Sequence, residues 1–403
     1  MAKKGKEFIF APYRKYFNYL PDKDRYLIYS DEPKYRFNII GAGMMGMEHM
    51  TTTSFVGRAI INGIYDPNPR SIEEAKKNYS STHPGRELIV YNSLEEVCND
   101  PEVDGLIIST PNYTHIDIIK VAARSGKHIL LEKPMATTIE DAYEITQIAK
   151  NYNAVFQIGL QYRYKAIYVE TIYEALERRT IGNIKMINIL EHRGPFLDKV
   201  NQWNKFAKFS GQTIVEKCCH YMDLFNLFAQ SKPISVFGTG SMAVNFINFE
   251  YVDGQKSDIY DNAYVIIKYE NGISGLFNLC MFAPNYYEEI ILVGDEGSIK
   301  AYENMDFLGL SRPETSLEIL RGENKPSRIT TPTYPSYIQS GGHNGATIYE
   351  HMYFIDNIEG KKTTTASTEE GFWSIIVAVA AQESIKTGKT IIIDELLKEK
   401  GIN

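Results

Sequence analysis

Three glycines set the strongest limit on how the first part of this chain can fold. They stand in Gly41-Ala42-Gly43-Met44-Met45-Gly46, directly after the apolar run YRFNII and at the start of a helix-like stretch. Gly41 permits a tight turn out of a strand, Gly43 lets the backbone approach a bound group, and Gly46 lets the helix pack closely against the strand. A helix that starts here aims its free N–H groups and the positive end of its dipole at the loop, which suits a pyrophosphate. Asp66 closes the next apolar run, AIINGIYD, 20 residues after Gly46. A carboxylate there can accept hydrogen bonds from the hydroxyls of an adenosine ribose and repels a 2′-phosphate. The spacing points to a dinucleotide loop that favours NAD over NADP, with Arg70 nearby as a residue able to serve a phosphate.

The runs YRFNII, AIINGIYD, ELIVYN, VDGLIIST, HILLEKP and AVFQIG alternate with helix-like RSIEEAKKNY, NYTHIDIIKVAARSG and TIEDAYEITQIAKNY. That alternation predicts βαβ units and a parallel, doubly wound sheet ending near Gly159. A helix over 164–179 follows. Then IKMINILEHR, SVFGTGSMAVNF, NAYVIIKYENG, ISGLFNLCMFA, YEEIILVGDEG and SIKAYE, several joined by Asn-Gly or Glu-Gly turns, predict an antiparallel sheet. Residues 304–345 read as loop-rich, and two helical segments end the chain. The expected class is α/β. A Rossmann dinucleotide-binding domain spans 35–160, and an α+β domain over 161–403 is built on a large, mostly antiparallel sheet. The second domain is expected to bind substrate and to oligomerise, its terminal helices packing back on the first. Residues 1–34 form an aromatic-rich arm, expected to pack on the body or on a neighbouring subunit.

Composition removes other classes. With 43% hydrophobic and 23% charged residues the 403-residue chain is globular rather than disordered. A net charge of -7 gives no general attraction to nucleic acid or an anionic membrane. No run approaches 18 apolar residues and no secretory signal is read at the N-terminus, so a cytoplasmic protein is expected. Cys98, Cys218, Cys219 and Cys280 show no repeated metal spacing and read as reduced thiols, Cys98 and Cys280 as buried small hydrophobes.

The stretch GQTIVEKCCHYMDLFNLF has helical spacing. On an unbroken helix Cys218 and Cys219 diverge by about 100° and cannot share a metal, whereas Glu216 and His220 share a face. No metal is expected. With STPNYTH at 109–115 and LEKP at 131–134, this ordered set resembles the Gfo/Idh/MocA oxidoreductase family over roughly residues 35–303. The resemblance implies that Lys133 lies beside the nicotinamide and touches a substrate hydroxyl, with Glu132 near the nicotinamide ribose. It also places Thr110, Pro111, Asn112 and His115 along the cofactor, and Gln161 next to the ring with Arg163 following. Many members carry Asp-x-x-x-His where this chain has Glu216-x-x-x-His220. VEKCCH looks like the sugar- and glycoside-oxidising branch.

Alcohol oxidation removes a hydroxyl proton while a hydride leaves the same carbon. A lysine ammonium can hold the oxygen, and a closed site can lower its pKa. Histidine suits proton acceptance near neutral pH, and a carboxylate one turn away can orient the imidazole. Lys133, His220 and Glu216 are the catalytic candidates. Arg193 and Trp203 are candidate substrate contacts, because a guanidinium and an indole suit a sugar ring; the resemblance adds Arg163 and His343, whose SGGHNGAT segment looks like an HGG-type segment of the glycoside-acting branch. Asp223 can fix the imidazole or cap a segment, and Lys217 points away from Glu216. The expected function is NAD-dependent oxidation of a ring hydroxyl of a sugar, glycoside or cyclitol. Its alternatives are a redox-assisted glycosidase or lyase and a non-catalytic cofactor-binding regulator. A homodimer or homotetramer through the C-terminal sheet is expected.

Overall fold

The computed structural model describes residues 33–402 apart from 84, 252, 307–312, 323–324 and 362. The aromatic arm therefore lies outside the described residues except for its last two. Strands β1 (Tyr35–Ile40), β2 (Ala59–Tyr65), β3 (Ile89–Val90), β4 (Gly105–Ile108), β5 (His128–Glu132) and β6 (Phe156–Gly159) pair in the order β3-β2-β1-β4-β5-β6, all parallel. The order reverses between β1 and β4, so the carboxyl ends of those strands open a crevice at the topological switch point. Helices α1 (Met44–Val56), α2 (Pro69–Thr82), α3 (His115–Ala122) and α4 (Ile139–Lys150) belong to the crossovers. The strands are continuous Ile/Leu/Val runs because both sheet faces are covered; β4 is buried at every residue.

The second sheet has nine strands: β7 (Ile184–His192), β8 (Pro233–Ser241), β9 (Asn262–Tyr269), β10 (Ser274–Cys280), β11 (Asn285–Gly294), β12 (Ser298–Asp306), β13 (Glu314–Leu320), β14 (Arg328–Thr330) and β15 (Ile391–Ile392). They run in the order β14-β13-β12-β11-β7-β10-β9-β8-β15, and only β7 against β10 is parallel. Two strands fall inside 304–345, where the sequence reads as loop. TSLEIL alternates buried with partly or fully exposed residues there, a period that the surrounding Pro and Gly obscure. The helix expected over 164–179 is α-helical only over Ala166–Ile172 and continues as a wider turn over Tyr173–Glu177.

The largest departure lies in the cysteine helix. It is two helices, α5 (Gln212–Glu216) and α6 (Cys219–Ala229), parted at Lys217 and Cys218. Thr213, Ile214 and Val215 form a β-branched run that weakens helix propensity. The Thr213 carbonyl accepts from both Lys217 N–H (2.9 Å) and Cys218 N–H (3.3 Å), which opens the turn. Helix α7 (Ala346–Ile358) packs back on the Rossmann sheet: Ile348, Met352, Phe354 and Ile355 share a core with Phe37, Ile39 and Met50. The long helix α8 (Thr368–Thr387), started by a Ser367/Glu370 capping box, packs against α4 and α6. No described helix is long and apolar enough to cross a membrane.

Candidate active site

The loop after β1 is shaped by backbone geometry. Gly41 has φ +94°, and a Cβ there would meet the Ser109 backbone at 2.8 Å. A Cβ on Gly46 would lie 2.1 Å from the Gly41 carbonyl oxygen, so only glycine allows this helix–turn contact. Gly43 differs: nothing lies within 4 Å of its Cβ position. It also caps α1 without a side-chain hydrogen bond, so no cap side chain satisfies the first N–H groups of the helix, the groups that hold a pyrophosphate in a dinucleotide fold. Met44 is exposed and Met45 half-buried on that first turn. Asp66 accepts from Ala42 N–H and Asn68 N–H, each at 2.8 Å. Each carboxylate oxygen keeps a second lone pair for a ribose hydroxyl. Arg70 lies at the exposed start of α2.

The ends of β4 and β5 carry the next residues. His115 is buried, with Nδ1 2.9 Å from the Pro134 carbonyl and Nε2 3.1 Å from the Thr110 carbonyl. Burial lowers its pKa against those two carbonyls, so a neutral ring donates to one at a time and ties the Thr110-Pro111 loop to the end of β5. The Thr114 hydroxyl donates to Thr110 Oγ1 at 2.8 Å. Asn112 Nδ2 donates to the Ser210 carbonyl (3.1 Å) and to Glu216 Oε2, reaching across to the second domain. Gln161, fully buried just after β6, has neither its amide oxygen nor its nitrogen hydrogen-bonded. Such a group costs about 1–3 kcal/mol unless something pairs with it, which fits the polar edge of a nicotinamide.

Lys133 follows β5 and donates from Nζ to the Glu216 carbonyl at 2.9 Å. In an unbroken helix that carbonyl would accept from the His220 N–H; the break at Lys217 leaves it for the ammonium. Burial pulls the Lys133 pKa down, but Glu216, Cys219 and Glu132 outweigh it, and the net direction is up. Lys133 is therefore an ammonium at neutral pH, not a lysine of lowered pKa. The Glu216 carboxylate is taken by Lys199 Nζ (2.8 Å) and by Asn112. It forms no hydrogen bond with His220, contrary to the pairing an unbroken helix would give. His220 instead stacks flat on Tyr162, with ring centroids 4.0 Å apart and planes 8° apart. Its Nδ1 is buried without a hydrogen-bond partner. Burial, then Lys133, Lys217, His343 and Lys165, hold its pKa well below the usual histidine value, so the ring is neutral.

The candidate substrate contacts divide. Trp203 is buried, with Lys199 Nζ 4.4 Å from its ring centroid. Arg193 donates from Nε to the Gly194 carbonyl (3.2 Å), with Nη1 3.8 Å from Glu191 and the guanidinium over the Tyr286 ring. His343 Nδ1 meets Glu48 Oε1 at 2.8 Å, and its ring centroid lies 6.4 Å from that of Tyr162. Arg163 is spent elsewhere. It makes two 2.6 Å bonds to a buried Asp223 and one of 2.8 Å to Glu370, whose side chain is 40% exposed. Asp223 consequently faces a guanidinium rather than an imidazole. Among the described residues, one group of three His, Cys, Asp or Glu side chains converges within 4.8 Å: His49, Glu132 and Glu350, away from the cysteines. All four cysteines are free; Cys98 is buried and Cys280 half-buried.

Comparison with known proteins decides the family. The model for the oxidoreductase family's NAD-binding Rossmann fold matches residues 35–160, and that for its C-terminal alpha/beta domain matches 173–393. The chain belongs to the Gfo/Idh/MocA oxidoreductase family. Its relatives include the myo-inositol 2-dehydrogenase of Thermotoga maritima, 22% identical, over 90% of this chain and 99% of that protein. Another is the scyllo-inositol 2-dehydrogenase (NAD(+)) of Bacillus subtilis, 25% identical, over 90% and 97%. In fold it is similar to a levoglucosan dehydrogenase solved with NADH, at TM-score 0.74 and 21% identity, over 89% of this chain and 99% of that one.

Within this Gfo/Idh/MocA chain several residues around the site escape a reading of the sequence. Tyr162 is covered by His220 and has Lys217 and Lys165 within 4.4 and 4.9 Å of its ring centroid. Lys217 donates to the Tyr162 hydroxyl and pairs with Glu191 at 3.1 Å; burial lowers its pKa. Lys165 pairs with Glu288 (2.9 Å) and Glu303 (2.6 Å). Their one shared signal is position: Tyr162 and Lys165 lie within two residues of Arg163, and Lys217 lies between Glu216 and His220.

Proposed function

We propose that this oxidoreductase is a dehydrogenase that prefers NAD and oxidises a ring hydroxyl of a cyclitol, sugar or glycoside. The observation that carries the reading is the Lys133 Nζ bond to the Glu216 carbonyl, which joins the end of β5 to the helix break just ahead of a neutral His220. Lys133, as an ammonium, holds the substrate hydroxyl oxygen and stabilises its growing negative charge. His220 accepts the hydroxyl proton; its neutral state leaves a ring lone pair available. A nicotinamide dinucleotide whose pyrophosphate rested on the Gly41–Gly46 loop would supply the hydride acceptor. The Glu216 carboxylate, held by Lys199 and Asn112, anchors the break and offers oxygen atoms to neighbouring hydroxyls of a polyol. Trp203, Arg193 and His343 line the substrate side, while Arg163 braces the wall through Asp223 and Glu370.

The NAD preference rests on Asp66, whose charge beside a ribose opposes a 2′-phosphate. The outer face of the second sheet supports a homodimer or homotetramer: Phe237, Ile266 and Leu276 lie in register across β8, β9 and β10, each at least 40% exposed. A row of that kind marks an interface. The test is a panel of cyclitols, sugars and glycosides with NAD and with NADP, following NADH absorbance and identifying products. An intact carbon skeleton with NADH accumulation is expected. No reduction of either cofactor across the panel would overturn the reading, and a monomer in light scattering would overturn the interface.

A further inference from the structure

Behind β5 lies a second set of buried titratable groups that the hydride transfer does not use. His49 on α1 is fully buried, with Nε2 2.8 Å from Glu132 Oε1 and Nδ1 2.8 Å from His351 Nε2. His351 Nδ1 lies 3.2 Å from the Thr53 hydroxyl, and that hydroxyl donates to the His49 carbonyl at 2.8 Å. Glu350, also on α7 and fully buried, converges on the His49–Glu132 contact, and neither of its carboxyl oxygens has a hydrogen-bond partner.

The hydrogen bonds count the protons. The Thr53 hydroxyl has used its hydrogen, so it accepts from His351 Nδ1–H. Burial, then His49, hold the His351 pKa far below its usual value, so the ring is neutral and its Nε2 carries no hydrogen. His49 Nδ1 must then donate to it. A singly protonated His49 would turn a bare Nε2 toward a Glu132 carboxylate, two acceptors at 2.8 Å. One more proton must therefore sit between them. A metal ion is the other way to join such groups, but ligands about 2.0–2.2 Å from a tetrahedral zinc stand roughly 3.3 Å apart; this contact is a hydrogen bond. Burial, then Glu132 and Glu48, push the Glu350 pKa well above the carboxylate range.

We propose that Glu350, His351 and His49 form a buried proton-holding array that sets Glu132, with Glu350 a neutral acid and one proton held in the His49–Glu132 contact. The array rests on the reading of Glu132 as a ligand of the nicotinamide ribose. His49 and His351 are then positioning residues: they fix which oxygen Glu132 turns outward and screen its charge. Oε2, the oxygen not bound to His49, accepts from Lys133 N–H at 3.1 Å. The other charged groups facing the array are Glu48 on α1, paired with His343, and Lys133. From β6 the neutral Gln157 amide reaches the Glu350 carbonyl (3.5 Å) and Gly159 packs on Glu132; the neighbouring titratable groups are His115 beside Glu132, its ring neutral, and Tyr164 beside Glu350.

The test uses the full chain in three arms. Infrared difference spectra of wild type against Glu350→Gln near neutral pH should show the carbonyl stretch of an un-ionised acid that the variant lacks. Nitrogen NMR of histidine-labelled protein should show His351 protonated at Nδ1 alone. NAD titration should give a dissociation constant raised about tenfold in His351→Phe, which strands the His49 N–H, with most of the loss recovered in His351→Gln. The kcat at saturating NAD should change far less than KM for NAD. A missing acid band, stoichiometric metal in the purified protein, or a doubly protonated His351 overturns the array. Equal affinity in the two His351 variants overturns its link to Glu132. Wild type that binds no NAD overturns the ribose reading while the two spectroscopic arms still decide the array.

Discussion

Around Gly41–Gly46 the site is made of backbone, whereas around Lys217–His220 it is made of side chains lent by distant segments. In the first region one contact, Gly46 against the Gly41 carbonyl, fixes helix to strand, and Asp66 steadies the turn through two N–H groups. In the second, the Glu216 carbonyl serves Lys133 from residue 133, its carboxylate serves Lys199 and Asn112, and His220 lies on Tyr162. A backbone device needs only short-range sequence. A side-chain device needs the whole fold first.

The largest effect should come from cutting the tie between the regions. Lys133→Met removes the ammonium but keeps the stem length; turnover should fall about 10³-fold, within the usual span for charge stabilisation and proton transfer, while NAD affinity by titration changes little. Turnover within tenfold of wild type would show that Lys133 does not hold the reacting oxygen. Next is the brace. Asp223→Ala leaves Arg163 with Glu370 alone in a buried setting, and breaking such a pair costs about 3–5 kcal/mol, read as a drop in urea stability. A loss under about 1 kcal/mol would be that of an exposed pair and would return Arg163 to the substrate side.

The same contrast explains what the sequence disclosed. The doubly wound sheet was legible because period, glycine spacing and Asp66 are local signals. Lys133 and His220 could be proposed as site residues only through the ordered family match, since a lone helical histidine carries no chemistry of its own. The helix break was hidden because apolar spacing at Ile214, Met222 and Phe225 survives an opened turn. Lys199 and Tyr162 were hidden because their partners lie 17 and 58 residues away along the chain. β13 and β14 were hidden among turn residues. A smaller perturbation separates two glycines that the motif treats alike. Gly46→Ala drives a Cβ to 2.1 Å from a carbonyl and should cost about 2 kcal/mol in thermal or urea unfolding, the usual scale of overpacking. Gly43→Ala meets nothing in the protein, so it should leave stability within about 0.5 kcal/mol and weaken NAD binding instead. Equal stability losses would mean that the loop is not ordered as described.

The smallest effect concerns protons and tests whether the second region is as dry as its packing implies. His220, like His351 and His115, is held below its usual pKa first of all by burial. The native state leaves these rings neutral, whereas the unfolded chain protonates each of them below about pH 6.5. Their contribution to stability is therefore complete above that pH and is lost as pH falls through it, because the unfolded state then binds more protons. Each ring steepens the loss by up to about 1.4 kcal/mol per pH unit. His220→Asn keeps a planar polar group against Tyr162 and removes one titration. Urea unfolding at a series of pH values between about 6.5 and 5 should give a slope shallower by up to that amount, with little change above pH 7. An unchanged slope would mean that His220 takes up its proton as readily in the folded protein as in the unfolded chain, so that burial does not hold the ring neutral.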